Sequence, residues 1–89
     1  MQLDELRGKI DQIDEELLRL FAERMEVVIQ IAAYKKEQGL PALDKKREAE
    51  KLEEIAKKVR PDLEPYACIL YDTLFELSRR YQNTETEEL

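Results

Sequence analysis

Apolar residues recur at helical spacing along almost the whole chain. Leu3, Leu6, Ile10, Ile13, Leu17, Leu20, Arg24, Val27, Ile31, Tyr34 and Gln38 step alternately by three and four positions. That alternation is a heptad seam on one face of a helix. A second stripe, Leu18, Phe21, Met25, Val28 and Ala32, widens the apolar face beyond a plain coiled-coil seam. The pattern predicts one long helix over residues 4–38, roughly 50 Å from end to end. Gly39 supplies a left-handed stop and Pro41 prevents the helix from resuming. Gly8 costs about 1 kcal/mol against alanine, and the flanking pattern carries the helix through it.

Asp44 is a good N-cap for a second helix over residues 44–59, with an apolar face of Leu52, Ile55 or Ala56, and Val59. Pro61 and Pro65 bracket the next turn. A third helix is predicted over residues 64–82, its main stripe being Leu63, Ala67, Leu70, Leu74, Leu77 and Tyr81. Residues 83–89 form an acidic tail expected to fray. Strand signals are weak, so the expected fold is all-α, with one long and two shorter helices. Two short helices must cover the long seam unless another chain helps, and small chains bury a modest fraction of their surface. The expectation is an intertwined helical homodimer with the long helices paired.

Composition narrows the chemistry. Eighty-nine residues make one domain. Acidic residues outnumber basic ones 21 to 15, for a net charge of −6, which suits neither general nucleic-acid binding nor an anionic surface. Apolar runs are too short to span a bilayer, and the acidic start, Met1 to Glu5, lacks the regions of a signal peptide. The expected location is therefore cytoplasmic. The single cysteine, Cys68, excludes an internal disulfide and reads as a buried small residue. The chain has no histidine, the commonest metal ligand and general base, and its two glycines form no phosphate loop. No metal or cofactor is expected.

Polar residues interrupt the apolar stripes at particular places. Arg24 occupies a seam position between Leu20 and Val27. Glu48 lies four residues before Leu52, on the apolar face of the second helix. Tyr71, Phe75, Ser78 and Gln82 form a stripe that begins aromatic and ends polar. Arg24 and Lys35 are eleven residues apart, so they differ by about 20° in azimuth and lie roughly 16 Å apart along the axis. Two long cationic side chains so placed can hold a small dianion between them. Ser78 with Gln82, and Asp44 with Glu48, are i, i+4 pairs that each share a face. Arg7 precedes Arg24 by seventeen residues, roughly 25 Å along the axis and about 100° around it. If Arg7 binds the same ligand, it comes from a second chain.

Each feature also has a purely structural reading. Arg24 can set register or pair with a glutamate, and Lys35 can be a solvated face residue. Asp44 can simply cap, and Glu48 can favour the helix N-terminus. Ser78 and Gln82 can mark where the third helix emerges into solvent. Read together, the residues describe a helical bundle with a cationic pocket.

The sequence resembles the all-helical, AroQ-type chorismate mutases from about Leu3 to Gln82. The likeness rests on Leu6-Arg7-Gly8-Lys9-Ile10-Asp11-Gln12-Ile13-Asp14, on Ala22-Glu23-Arg24, on Tyr34-Lys35, on Asp44-Lys45-Lys46-Arg47-Glu48, and on Ser78 with Gln82. The resemblance implies conversion of chorismate to prephenate in aromatic amino-acid biosynthesis, by an intertwined dimer with two equivalent sites. It implies that Arg7 from one chain and Arg24 from the other clamp the substrate carboxylates, with Ser78 assisting. Lys35 would reach a carboxylate and the ether oxygen, and Gln82 would donate to that same oxygen. Asp44 and Glu48 would hold the ring hydroxyl, with Arg47 supporting the site. Met25 departs from relatives that carry a polar or basic residue after the arginine, and the link between the second and third helices looks shorter. No prephenate-processing domain is expected to follow, which makes the expected enzyme monofunctional.

A Claisen rearrangement needs no nucleophile, proton transfer or metal, so a chain without histidine can perform it. The protein must hold a flexible dianion in its compact conformer and stabilise negative charge developing on the ether oxygen. Two other readings stay open on sequence. One is an isochorismate pyruvate-lyase, which shares the fold. The other is a non-catalytic helical dimerisation or regulatory module in which Arg24 and Glu48 pair.

Overall fold

The computed structural model describes residues 2–87, with side chains through residue 85. Its elements are α1 (Leu3–Gln38), α2 (Lys45–Lys58), a short 3-10 turn (Pro61–Leu63) and α3 (Glu64–Glu87). No strand occurs among the described residues. Among the same residues, no helix is long and apolar enough to cross a membrane.

α1 has 36 residues and accounts for the 55 Å long dimension of the chain. Asp4 and Glu5 lie in its first turn and Lys35 and Lys36 in its last, each sign complementing the helix dipole. The helix ends at Gly39, whose φ of 69° is the left-handed conformation that only glycine adopts without steric cost. The Gly39 N–H donates to the Lys36 carbonyl at 3.3 Å, and the Leu40 N–H to the Lys35 carbonyl at 2.8 Å. Those two bonds are a Schellman termination. Asp44 then starts α2, its Oδ1 accepting from the Arg47 N–H at 2.9 Å. Val59 and Arg60 are extended ahead of Pro61, as the residue before proline must be, and the chain turns into α3.

α3 packs against both α1 and α2. Arg24 meets Ser78 and Val28 meets Gln82, the same offset of 54 residues each time, so α1 and α3 run parallel. α2 returns antiparallel to α3. α3 continues to Glu87, beyond the expected end at residue 82. The expected fraying from residue 83 is thus corrected over residues 83–87, where the helix continues. Residues 88 and 89 lie outside the described residues. Within the extension the Thr84 hydroxyl donates to the Arg80 carbonyl one turn back, at 3.0 Å, so its side chain follows the helix rather than competing with it.

Which stripes are buried is the main departure from expectation. The buried residues are Val28 on α1, Ile55 on α2, and Phe75 and Ser78 on α3. Val28 belongs to the second stripe of α1, and Phe75 and Ser78 to the stripe that begins at Tyr71, whose ring meets Phe75 edge-on at 6.2 Å. The heptad seam faces outward instead, with Ile10 at 57% and Leu17 at 56% exposed. Of the main stripe expected for the third helix, Leu63 in the 3-10 turn and Leu70 and Tyr81 on α3 are exposed as well. Every residue from 2 to 23 is exposed, although Leu17, Leu18, Leu20 and Phe21 share a hollow with Leu70, Tyr71 and Leu74 of α3. Cys68 is half-buried rather than buried.

The chain is open for its size. Its radius of gyration is 16.3 Å, where a compact domain of this length has about 12 Å. Its accessible surface is 7524 Å², against about 5,500 Å² for a compact monomer of this mass. The small core it does have is concentrated where α3 meets the other two helices. Truncating Ile55 to alanine is expected to lower unfolding free energy by about 2–4 kcal/mol, read from denaturant midpoints at fixed protein concentration. A loss below about 1 kcal/mol would mean that this contact is not part of the core.

Candidate active site

The three helices enclose a cleft of about 220 Å³, lined by Arg24, Val28, Ile31, Lys35, Ala42, Asp44, Arg47, Glu48, Lys51, Phe75, Ser78, Arg79 and Gln82. Of the site residues expected from sequence, Arg24, Lys35, Asp44, Arg47, Glu48, Ser78 and Gln82 all line it. Arg7 does not. It sits exposed near the far end of α1. An adjoining hollow shares Lys35, Ala42 and Gln82 with the cleft and opens it towards the 39–42 link.

Local structure explains the gathering. The parallel offset of α1 and α3 sets Arg24 opposite Ser78. Arg24 Nη1 donates to Ser78 Oγ at 2.8 Å, and that hydroxyl donates in turn to the Leu74 carbonyl at 2.7 Å. Ser78 is 8% exposed, so its hydroxyl has little access to water and serves to aim the guanidinium. One α1 turn further, Gln82 Nε2 donates to the Val28 carbonyl at 3.0 Å, fixing the amide at the cleft wall. Lys35 lies at the α1 terminus, where its own carbonyl takes the Schellman bond. Its Nζ donates to the Ala42 carbonyl at 3.3 Å, leaving further N–H groups of the ammonium for a ligand. The stop at Gly39 and the cap at Asp44 therefore bring Lys35 and Glu48 to the same cleft.

Arg24 and Glu48 do not pair with each other. Glu48 Oε2 accepts from Arg79 Nη1 at 2.6 Å, across the gap between α2 and α3. Sequence reasoning missed Arg79 because it lies one residue off the polar stripe. The available signal was the need of a half-buried Glu48 for a counter-ion. Lys51, also missed, is held at 3.3 Å by Glu54, whose carboxyl that hydrogen bond keeps below the ordinary range. Five cationic and two acidic side chains face the cleft, so a pocket of net positive charge sits in a chain of net charge −6. Such a field favours a small anion carrying more than one charge. No group of three or more metal-ligating side chains occurs among the described residues.

An all-helical cleft that presents arginine, lysine and a side-chain amide beside a single-sided carboxylate pair defines a binder of small polyanions. Comparison with known proteins is more specific. A model of the family "chorismate mutase type II" matches residues 6–83. The chain is 43% identical over 79 residues to the T-protein of Haemophilus influenzae, covering 89% of this chain and 20% of that protein. It is 31% identical over 90 residues to the chorismate mutase of Methanocaldococcus jannaschii, covering 98% of this chain and 90% of that one. The chain thus spans a fifth of the bacterial relative and most of the archaeal one. No solved structure matches the chain to significance. The chain belongs to the chorismate mutase type II family.

Removing the Ser78 hydroxyl leaves a half-buried guanidinium N–H without its acceptor. Ser78→Ala is expected to cost about 1–3 kcal/mol in unfolding free energy, measured by urea titration. An unchanged midpoint would mean that Arg24 is not held by this bond.

Proposed function

We propose that this chain rearranges chorismate to prephenate by holding the dianion in its reactive conformer and stabilising charge on the breaking ether bond. The observation that carries the reading is the convergence of Arg24, Lys35, Glu48, Ser78 and Gln82 on one cleft of net positive charge. Chorismate carries a ring carboxylate, an enolpyruvyl carboxylate and a ring hydroxyl. Arg24 takes a carboxylate, its direction fixed by Ser78. Lys35 takes a carboxylate and the ether oxygen, and Gln82 donates to that same oxygen. Asp44 and Glu48 accept from the ring hydroxyl, and Arg47, at the start of α2, supports that side. Lys35, Gln82, Arg24 and Glu48 thus form the catalytic set. As the C–O bond lengthens, charge grows on an oxygen that already faces an ammonium and an amide. Donors held by the fold need not reorient, whereas water must.

The same reading makes the active form a homodimer. About 2,000 Å² of accessible surface beyond that of a compact monomer is of the size that obligate dimers bury per partner. The excess coincides with the exposed heptad seam of α1, which is what a second long helix would cover. Pairing two α1 helices antiparallel carries Arg7 of each chain towards the cleft of the other, where it supplies one more cation for a substrate carboxylate. The proposed setting is the cytoplasm, where a lone Cys68 thiol stays reduced.

Purified protein added to chorismate is expected to deplete its ultraviolet absorbance with formation of prephenate. Salicylate and pyruvate from isochorismate, without turnover of chorismate, would instead make it a lyase. Lys35→Ala and Gln82→Ala are each expected to lose about 10²-fold or more in kcat while remaining helical and dimeric. Near-parental turnover in either variant would remove its assigned role.

A further inference from the structure

The Arg79–Glu48 pair stands apart from the other ion pairs of the described residues. Those join positions no more than four residues apart on the surface, whereas this one spans 31 residues and ties α2 to α3. It lines the cleft, and the two side chains are 40% and 28% exposed. A pair with that much solvent access adds little to stability. Its position in the cleft matters more.

Glu48 shares the cleft with five cationic side chains. Left alone, it could turn towards Lys51 one helical turn on, or across the cleft towards Arg24 or Lys35. Each such pairing would neutralise a cation that a substrate carboxylate needs, and would point both oxygens away from a ring hydroxyl. Arg79 prevents this from the opposite wall. Its Nη1 donates to Oε2 at 2.6 Å, a charge-assisted bond that engages one oxygen of the carboxylate. Arg79 follows Ser78 directly on α3, so the turn that aims Arg24 also aims Glu48.

We infer that Arg79 is a positioning residue, which holds Glu48 by one carboxylate oxygen so that the other accepts from the substrate's ring hydroxyl while Arg24 and Lys35 stay available for the substrate carboxylates. The inference rests on the assignment of Glu48 to that hydroxyl under the proposed function. A double-mutant cycle on chorismate turnover separates the two. Arg79→Ala is expected to lower kcat/KM about tenfold, chiefly through KM, with helicity and oligomeric state unchanged. Arg79→Lys should recover most of the loss, because an ammonium can still hold one oxygen. Should Arg79→Ala fold poorly, Arg79→Met keeps the stem and serves in its place. In the Glu48→Gln background, loss of Arg79 should have no further effect. A kcat/KM within twofold of the parent for Arg79→Ala, or losses that multiply in the double variant, would overturn the positioning role. Parental kinetics in Glu48→Gln alone would overturn the underlying assignment of Glu48 instead.

Discussion

The constraint on which the rest depends is an apolar seam that its own chain leaves open. α1 is long because a nearly unbroken heptad pattern drives it from Leu3 to the glycine stop, yet α3 is shorter and leaves residues 3–23 of α1 exposed. Between Leu3 and Leu20, one face of the helix leaves Leu3, Leu6, Ile10, Ile13, Leu17 and Leu20 exposed. Burying each such leucine or isoleucine is worth about 1.5–3 kcal/mol, so the unpaired form carries a large penalty. In the proposed dimer a second α1 covers this seam and brings Arg7 to the cleft.

Site geometry follows from helix ends as much as from helix faces. Gly39 terminates α1 just past Lys35, and Asp44 opens α2 four residues before Glu48, so the short link folds two chemically opposite groups towards one cleft. The parallel offset between α1 and α3 adds Ser78 and Gln82 at matching heights. Most cleft side chains are already engaged by the protein: Arg24 by Ser78, Gln82 by a backbone carbonyl, Glu48 by Arg79 and Lys35 by Ala42. A cleft built this way is preorganised, which suits the proposed reaction, since that reaction transfers no proton and needs no histidine.

Much of this was legible in the sequence, for identifiable reasons. Helical periodicity and the Gly39 and Asp44 signals located the elements because those signals are local. Arg24, Glu48 and Ser78 stood out because charge and hydroxyl groups on apolar stripes need partners. What periodicity could not decide was which of two adjacent stripes each helix turns inward. Leu70 and Tyr81 outrank Phe75 and Ser78 in the pattern, yet the chain buries the latter. The choice depends on tertiary packing, and the more regular stripe is the one the chain leaves exposed. Arg79 escaped for a similar reason, since its partner is 31 residues away and no local spacing joins them. The helix runs past residue 82 because a polar, acidic stretch without an apolar stripe can still be helical, the Thr84 side chain bonding back to the Arg80 carbonyl.

The central claim is that each site is shared between two chains, and a mixing experiment addresses it directly. Arg7→Ala and Lys35→Ala variants, each nearly inactive alone, are mixed under conditions that exchange subunits, with exchange confirmed by mass. Half of the randomly formed dimers would then carry one intact site of two, so activity is expected to return to about a quarter of the parent's. Confirmed exchange without recovery would contradict a shared site.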